Sequence, residues 1–365
     1  MRTSPGTSLS LPLALLGGGP LLFGAVLLAQ VEPPVSLLRR VAVDCGAGQS
    51  LASALTQPGD DLEISVRGIC RESLTIERDG VYLLGGDPLR DGLRPADGVA
   101  TEAVVVIRGA RRVRLENLSL SGSSGDGLKV LAAPEAIEIA GCRVEDNAGW
   151  GVAVVDSEVA LERTVLTGNG SDESRPGGGL LLTRGSAVTC TECVVAENPA
   201  AGANPGAAVL SSSRLTARGS TFEGATAITA QLHSSVSVSD SQLLGGDWAI
   251  EASYESEAFV RGGELFGPFL AADRSALQLL GVEQTYNPAQ NFVTESSSLL
   301  ADDRAAETGG PVSTRLTGLT LVSDFSTGKI VDNSEIGELA CSLDARVFCD
   351  GSETKVSSAG CGRCP

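Results

Sequence analysis

Short segments in which apolar and polar residues alternate recur along most of the chain. They share one pattern, in which positions one, three, six and eight are apolar or small and the residues between them are mostly polar. The segments are residues 113–120, 137–144, 159–166, 188–195, 215–222, 236–243, 258–265 and 277–283, and their starts lie 24, 22, 29, 27, 21, 22 and 19 residues apart. Alternation at positions one and three predicts a strand with one buried face. The change of phase at position six predicts a corner, followed by a second strand that again points inward.

A third short strand is predicted before most of these segments. The third strands are residues 127–130, 151–154, 179–182, 208–210, 227–230 and 249–252. Three strands in a repeat this short leave too little chain for a βαβ unit, which needs about 30 residues or more. The pattern therefore predicts an all-β coil in which each strand pairs in parallel with its equivalent one turn away, which is a β-solenoid. One continuous core then replaces the two domains that 365 residues would otherwise suggest.

Two columns of polar residues support this stacking. A serine lies two residues before each of six consecutive segments, and an asparagine lies three residues after position eight in three of them. The columns are Ser157, Ser186, Ser213, Ser234, Ser256 and Ser275, and Asn147, Asn169 and Asn198. Serine and asparagine also favour turns in general. Their recurrence at fixed offsets favours hydrogen-bonded ladders between coils.

The ends of such a coil need covering because they expose strand edges and apolar side chains. Residues 49–55 predict a short amphipathic helix that plugs the first end, and the pattern weakens after Leu277. We therefore predict a signal peptide at 1–29, an N-terminal cap and first coils at 41–100, parallel β-helix repeats at 101–300, and an irregular C-terminal cap with a Cys-rich tail at 301–365.

The N-terminus predicts export. Arg2 is the only charged residue before Glu32, and a mainly apolar run ends at Ala29, which is typical of a cleaved signal peptide. An uncleaved anchor is the alternative, although Gly17 to Pro20 would weaken a permanent helix. The formal net charge of -18 argues against nucleic acid and anionic membranes as partners. We expect an extracellular, periplasmic or cell-surface protein that is not inserted in a membrane after cleavage.

Export permits disulfides, and the nine cysteines fall into three groups. Disulfides are predicted at the two ends of the chain, from Cys45, Cys70, Cys341, Cys349, Cys361 and Cys364. Zinc is the alternative for the last four, which allow three pairings. Cys142, Cys190 and Cys193 are predicted to be buried core thiols, with a local disulfide between Cys190 and Cys193 as the alternative. Because nine is odd, at least one thiol is free or bonded between chains.

These features resemble the right-handed parallel β-helix proteins of the pectin-lyase-like superfamily. The stretches 43–50, 68–70 and 80–85 are similar to the start of many secreted bacterial members, and the resemblance covers roughly residues 41–300. It implies a single-stranded right-handed parallel β-helix. The superfamily includes pectate lyases, polygalacturonases, pectin methylesterases, epimerases and phage tailspikes, so the fold does not fix an activity.

No outward column places two carboxylates on neighbouring coils, as a glycosidase would need. The column of the first strand is Lys129, Ala153, Leu181, Leu210, Thr229, Glu251 and Ala271.

His233, the only histidine, is interpreted as an ordinary turn residue. The two longest turns, 168–179 and 196–207, are predicted to form neighbouring loops at one corner. Weak catalytic candidates are Asp172, Glu173 and Arg175 in these loops, or Lys129 with Glu251.

Two hypotheses for function remain. The first is an exported, non-catalytic β-helix protein that acts in surface structure, adhesion or glycan binding, with Trp150, Trp248 and Tyr254 as candidate sugar-stacking residues. The second is a polysaccharide lyase, hydrolase or epimerase with a loop-based site. No metal site or cofactor is expected, except calcium under the lyase alternative, where it would bridge an anionic polymer to this acidic protein. A phage-type fibre is a third hypothesis, but the chain lacks the trimerising tail we would expect.

Overall fold

The structure is a computed structural model that describes residues 38–172, 174–198, 205–285, 290–302, 314–323, 326–331, 335–341, 346–350 and 355–356. These residues form a right-handed parallel β-solenoid of about 12 turns with almost no helix. Every strand pairing is parallel and joins a strand to its equivalent in the next coil. The predicted signal peptide at 1–29 lies outside the described residues.

Three sheets run along the solenoid, and we number them by their order within a coil of the repeat. Sheet 1 contains Leu74–Ile76, Ala103–Arg108, Asp126–Leu131, Trp150–Val155, Gly178–Thr183, Ala207–Leu210, Phe269–Ala271 and Gln290–Val293. Sheet 2 contains Leu38–Asp44, Asp61–Arg67, Val81–Gly85, Val113–Glu116, Ile137–Ala140, Glu158–Glu162, Ala187–Thr191, Arg214–Arg218, Ala276–Leu280, Ser298–Asp302, Thr327–Val331 and Arg346–Asp350. Sheet 3 contains Ile69–Cys70, Gly92–Leu93, Ser119–Ser121, Arg143–Glu145, Val165–Thr167, Val194–Ala196, Glu283–Gln284 and Lys355–Val356.

Five longer strands continue around corners and belong to more than one sheet. They are Thr221–Gln231, Ser235–Ala252, Glu257–Phe266, Arg315–Val322 and Glu335–Cys341. The corner between sheets 2 and 3 is turned by a single residue with left-handed backbone in eight consecutive coils, at φ between 45° and 65°. These residues are Asn117, Gly141, Arg163, Glu192, Gly219, Asp240, Gly262 and Gly281. One such residue redirects the chain without interrupting the pairing between coils, because its N–H still donates to the next coil, as from Gly141 to Glu162.

The predicted ladders are present inside the corners. Asn147 donates from Nδ2 to Oδ1 of Asn169 at 2.9 Å, and Asn169 donates likewise to Asn198 at 3.2 Å; all three side chains are buried. In the serine column the hydroxyl oxygens of Ser157, Ser234, Ser256 and Ser275 each accept a backbone N–H from the preceding coil, as from Ser234 to Ser256 at 3.1 Å. Ser186 and Ser213 instead donate to backbone carbonyls. The polar columns therefore satisfy buried backbone groups where the sheets turn.

A continuous core of Val, Leu, Ile and Ala fills the coil, and its first end is covered by the predicted helix. The helix is Leu51–Leu55, preceded by a 3₁₀ turn at Cys45–Ala47. Its Leu51 is fully buried, and the carboxylate of Glu72 accepts hydrogen bonds from Leu51 N–H at 2.6 Å and from Ser50 Oγ at 2.9 Å. Within the part of the chain that the structure describes, no helix is long and apolar enough to cross a membrane.

The solenoid extends further along the chain than the repeat that the amino-acid sequence shows. Within 301–365, the region expected to be an irregular cap, the strands Arg315–Val322, Thr327–Val331, Glu335–Cys341 and Arg346–Asp350 pair in the same sheets. The serine ladder also continues, because Ser297 N–H donates to Ser326 Oγ at 3.2 Å.

The cysteines divide as the sequence suggests. Cys45 and Cys70 form a disulfide near the first end, and Cys341 is disulfide-bonded near the other. Cys142, Cys190 and Cys193 are free and buried. The side chains of Cys349, Cys361 and Cys364 lie outside the described residues, so the pairing predicted for the tail stays a prediction.

Candidate functional site

The outer face of sheet 1 carries most of the candidate residues. Strand register aligns its outward positions in nine successive coils as Val106, Lys129, Ala153, Leu181, Ala208, Thr229, Glu251, Leu270 and Phe292. Two positions expected in this column, Leu210 and Ala271, are wrong. The outward position is Ala208 where Leu210 was expected, two residues earlier in the chain, and Leu270 where Ala271 was expected, one residue earlier. The sequence did not show these shifts because the turns before the two strands differ in length.

The register separates Lys129 from Glu251. Glu251 lies five strands along the sheet from Lys129, which is about 24 Å at the usual spacing of neighbouring strands. The two side chains therefore cannot act on one bond, and each belongs to a different part of the face.

Lys129 lies in a compact group of charges that we call the Asp126 cluster, formed by Glu102, Asp126, Lys129 and Arg175. The Lys129 Nζ atom is 3.0 Å from Glu102 Oε1 and 4.0 Å from Asp126 Oδ2. The Asp126 side chain is only 7% exposed, and its Oδ1 accepts the N–H of Trp150 at 2.9 Å. Asp126 was missed because it stands between Gly125 and Gly127, a pattern that indicates only a turn.

Burial raises the pKa of the Asp126 carboxyl above its ordinary value. The Trp150 N–H and the positive charges of Lys129 and Arg175 oppose this effect, while the neighbouring Glu102 carboxylate adds to it. Desolvation is the largest of these effects, so the surroundings favour the protonated form of Asp126 more than water does.

The loop after Val165–Thr167 folds back over earlier coils and brings Arg175 to the cluster. Arg175 Nη1 donates to the carbonyl of Ser124, two coils back, at 3.0 Å. Asp172 accepts from the N–H and hydroxyl of Ser174 at 2.9 and 2.6 Å, and these bonds lower the pKa of Asp172. Asp172 thus stabilises its own loop, and Glu173 lies outside the described residues.

Trp150 forms the floor beside this cluster. It packs with Ala153, Leu181, Ala208 and Leu210 on the outer face of sheet 1, and it is only 7% exposed. A ring covered to this extent offers no free face for a sugar, so Trp150 acts as packing that supports the surface.

Glu251 and Trp248 lie in the same strand, on the part of the sheet 1 face that is distant from the Asp126 cluster. Glu251 accepts hydrogen bonds from Gln231 Nε2 at 2.9 Å and from Ser253 Oγ at 3.0 Å, and Thr229 Oγ1 is 3.5 Å away. The Trp248 ring contacts the ring of Phe292 edge to face, with centroids 5.7 Å apart. Both rings are half-buried. Glu251 and the aromatic pair thus share the outer face of sheet 1, with Leu270 between Glu251 and Phe292 in the outward column.

Comparison with known proteins agrees with this architecture. Residues 98–243 match the family described as "Right handed beta helix region". This part of the chain is a right-handed β-helix. No curated protein matches the chain.

Three solved structures are similar to the β-helix. The Azotobacter vinelandii mannuronan C-5 epimerase AlgE6 A-module is 16% identical, with a TM-score of 0.48 over 86% of this chain and 93% of that chain. The AlgE4 A-module of the same organism is 17% identical, with a TM-score of 0.39 over 84% and 93%. Pectate lyase Pel9A is 9% identical, with a TM-score of 0.40 over 89% and 79%. At these identities the similarity concerns the fold alone.

Tyr254 and His233 lie on the corner between sheets 1 and 2 of the β-helix. Tyr254 is 51% exposed, and the residues stacked at this corner line a groove of about 580 Å³. His233 Nδ1 is 3.3 Å from Glu255 Oε2, and Glu255 also pairs with Arg274. The histidine therefore belongs to a surface charge ladder of a turn, as the sequence indicated.

The outward column of sheet 2 offers no acid–base pair. Register aligns this column as Arg114, Glu138, Ala160, Thr189, Thr216, Ser237, Phe259 and Gln278. Its charged members are engaged with each other, since Arg114 pairs with Glu138 at 3.0 Å. Among the residues that the structure describes, no group of three or more His, Cys, Asp or Glu side chains is placed to hold a metal ion.

Proposed function

We propose that this protein is an exported β-helix protein that binds a linear, neutral polysaccharide along the outer face of sheet 1. The observation that carries the proposal is that Glu251, which is held by neutral donors, and the Trp248–Phe292 aromatic pair lie on the same face of sheet 1. Aromatic rings accept the apolar face of a sugar, and a fixed carboxylate accepts its hydroxyl hydrogens. Export rests on the predicted signal peptide, and binding at a cell surface or in the medium follows from it.

The length of the face favours a polymer over a small ligand. The outward column from Lys129 to Phe292 spans eight coils, which is about 34 Å. Apolar Ala153, Leu181 and Ala208 lie between a charged end and an aromatic end. Such a surface meets successive sugars of one chain without enclosing any of them.

The charge of the protein favours a neutral ligand. The chain carries a formal net charge of -18, and on the proposed binding face the Glu251 carboxylate accepts hydrogen bonds from the neutral side chains of Gln231 and Ser253. A polyanion would meet repulsion over most of its length unless calcium bridged it. Hydroxyl-rich polysaccharides without acidic groups avoid this cost.

A second candidate function is a polysaccharide-modifying enzyme, and the Asp126 cluster is the observation that favours it. A buried carboxyl with a raised pKa, 4.0 Å from an ammonium group, has the environment of a general acid or base. Under this alternative Asp126 would exchange a proton with a sugar bound at the Asp126 cluster, and Lys129 and Arg175 would stabilise the charge that develops. Calcium would be required only if the substrate were anionic.

Affinity gel electrophoresis of the mature protein in gels containing β-glucan, glucomannan, xylan or polygalacturonate tests the first proposal. We expect retardation in at least one neutral gel, weakened about tenfold by Trp248→Ala or Glu251→Gln, since one such contact contributes about 1.4 kcal/mol. Phe266→Ala is the matched control, because Phe266 is 47% exposed on sheet 3. Equal migration in all gels, or an equal effect of the control variant, would contradict the proposal.

Mass spectrometry of soluble products from the same polysaccharides, with and without calcium, tests the second candidate. Unsaturated ends would indicate a lyase, and products with added water a hydrolase. Loss of either product in Asp126→Asn, with retardation retained, would assign the chemistry to the Asp126 cluster.

A further inference from the structure

Two of the three free thiols meet inside one corner of the β-helix. Cys190 points inward from Ala187–Thr191 in sheet 2, and Cys193 immediately precedes Val194–Ala196 in sheet 3. Glu192 turns the chain between them at a φ of 55°. Both cysteine side chains therefore face the core from the two sides of a tight corner.

Contacts with the preceding coil place the two sulfur atoms close together. Cys193 Sγ donates to the carbonyl of Leu161 at 3.5 Å, and Leu161 is the strand partner of Cys190. Ser220 links the two cysteines from the following coil, because its Oγ accepts Cys193 N–H at 3.0 Å and donates to the Cys190 carbonyl at 3.4 Å. The side chains of Cys190 and Cys193 also interact with each other, and this interaction raises the pKa of Cys190 and lowers that of Cys193.

Cys142 provides the contrast within the same core. It lies two coils from Cys193, which is about 10 Å, and its Sγ donates to the Ala140 carbonyl at 3.5 Å. Burial raises the pKa of the Cys142 thiol to about 12, so it forms almost no thiolate. Among the three free cysteines of the described residues, Cys142 is therefore the one suited to remain unpaired.

We propose that Cys190 and Cys193 become joined by a disulfide as the chain folds in an oxidising compartment, and that Cys142 stays a free thiol. In the reaction, the Cys193 thiolate attacks one sulfur of a small-molecule disulfide and releases one thiol. The Cys190 thiolate then displaces the second thiol from the mixed disulfide. The protein loses two hydrogen atoms, and the external disulfide is reduced to two thiols.

In the closed corner, the contact between the two side chains lowers the pKa of Cys193 and raises that of Cys190. Either order of attack gives the same disulfide. Because both side chains are buried in the folded coil, the exchange must occur before the corner closes. The bond would fasten sheet 2 to sheet 3 at the base of the long loop that follows Ala196.

The test folds the full chain in a mixture of oxidised and reduced glutathione, then unfolds it without reductant in the presence of iodoacetamide. We expect peptide mass spectrometry to find Cys142 alkylated, and the peptide of Cys190 and Cys193 unalkylated and two hydrogens lighter. Alkylation of Cys190 and Cys193 should be no more than about a tenth of that of Cys142. Alkylation of all three to the same extent would overturn the proposal.

Two variants sharpen this result. Cys193→Ala should expose Cys190 to alkylation, whereas Cys142→Ala should remove the remaining alkylation and leave the Cys190–Cys193 peptide unchanged. If Cys193→Ala does not fold, the Cys142→Ala protein still tests the proposal. Alkylation of Cys190 in that variant would contradict the disulfide.

Discussion

Asp126 accepts the backbone N–H of Trp150 through Oδ1 at 2.9 Å, across the step from one coil to the next. The bond joins the buried carboxylate at the start of strand Asp126–Leu131 to the start of the neighbouring strand, Trp150–Val155, in sheet 1. Lys129 and Arg175 approach the same group, so one side chain connects strand, loop and charge cluster.

Asp126→Asn should change how stability depends on pH. Burial raises the pKa of Asp126 in the folded state, so the folded protein binds this proton more tightly than the unfolded chain. The free energy of unfolding therefore falls as pH rises from the ordinary value of 3.8 through the folded pKa, by about 1.4 kcal/mol for each unit of difference. The amide keeps the acceptor for Trp150 but removes the titration. Urea unfolding at several pH values should show wild type and variant curves that converge at low pH; parallel curves would contradict this.

Arg175→Ala should loosen the loop after Thr167 without unfolding the β-helix. Arg175 is exposed and holds the loop through its bond to the Ser124 carbonyl, so its loss should cost less than about 1 kcal/mol of global stability. Limited proteolysis should cut the variant faster within 168–177. Arg184→Ala, at an exposed turn residue of the opposite corner of sheet 1, is the control and should leave the cleavage rate unchanged.

The periodic part of the fold could be predicted because buried positions repeat in kind. Ser234 and Ser256, or Asn147 and Asn169, stand at equal offsets from their strands, and the same offsets produce the observed ladders. The terminal coils were not predicted because the alternation of apolar and polar residues is weaker there, although the serine ladder continues from Ser275 through Ser297 to Ser326.

The candidate site could be predicted only in fragments. Lys129, Arg175, Trp248 and Glu251 were recognised by residue type, but register decides which of them share a location. Asp126 and Phe292 were missed because their roles depend on neighbours from other coils, and nothing in the local sequence of either residue shows those neighbours.

Asn169→Ala should destabilise the β-helix strongly. Asn169 Oδ1 accepts from Asn147, and its Nδ2 donates to the carbonyls of Val144 at 2.8 Å and Thr167 at 3.1 Å. Alanine leaves these buried groups without partners, at a cost of roughly 1–3 kcal/mol for each one that water cannot reach. We expect a loss of about 3 kcal/mol in urea unfolding. Ser237→Ala, on the outer face of sheet 2, should change stability by less than about 0.5 kcal/mol; a similar loss in both variants would contradict the ladder's role.

Gly151→Ala should also be destabilising, because the asparagine ladder occupies the space that a side chain would need. A Cβ atom at Gly151 would lie 2.7 Å from the Gly179 carbonyl oxygen and 2.8 Å from Asn169 Nδ2. Both neighbours are fixed by the pairing between coils, so relieving the clash should cost about 1–3 kcal/mol. Gly246→Ala is the matched control, since its nearest neighbour would be 3.8 Å away and its backbone is not left-handed. Thermal unfolding should separate the two variants by several degrees for a chain of this size. Equal melting temperatures would show that the asparagine ladder can shift to accommodate a methyl group. Glycine at position 151 would then not be needed for packing against the ladder.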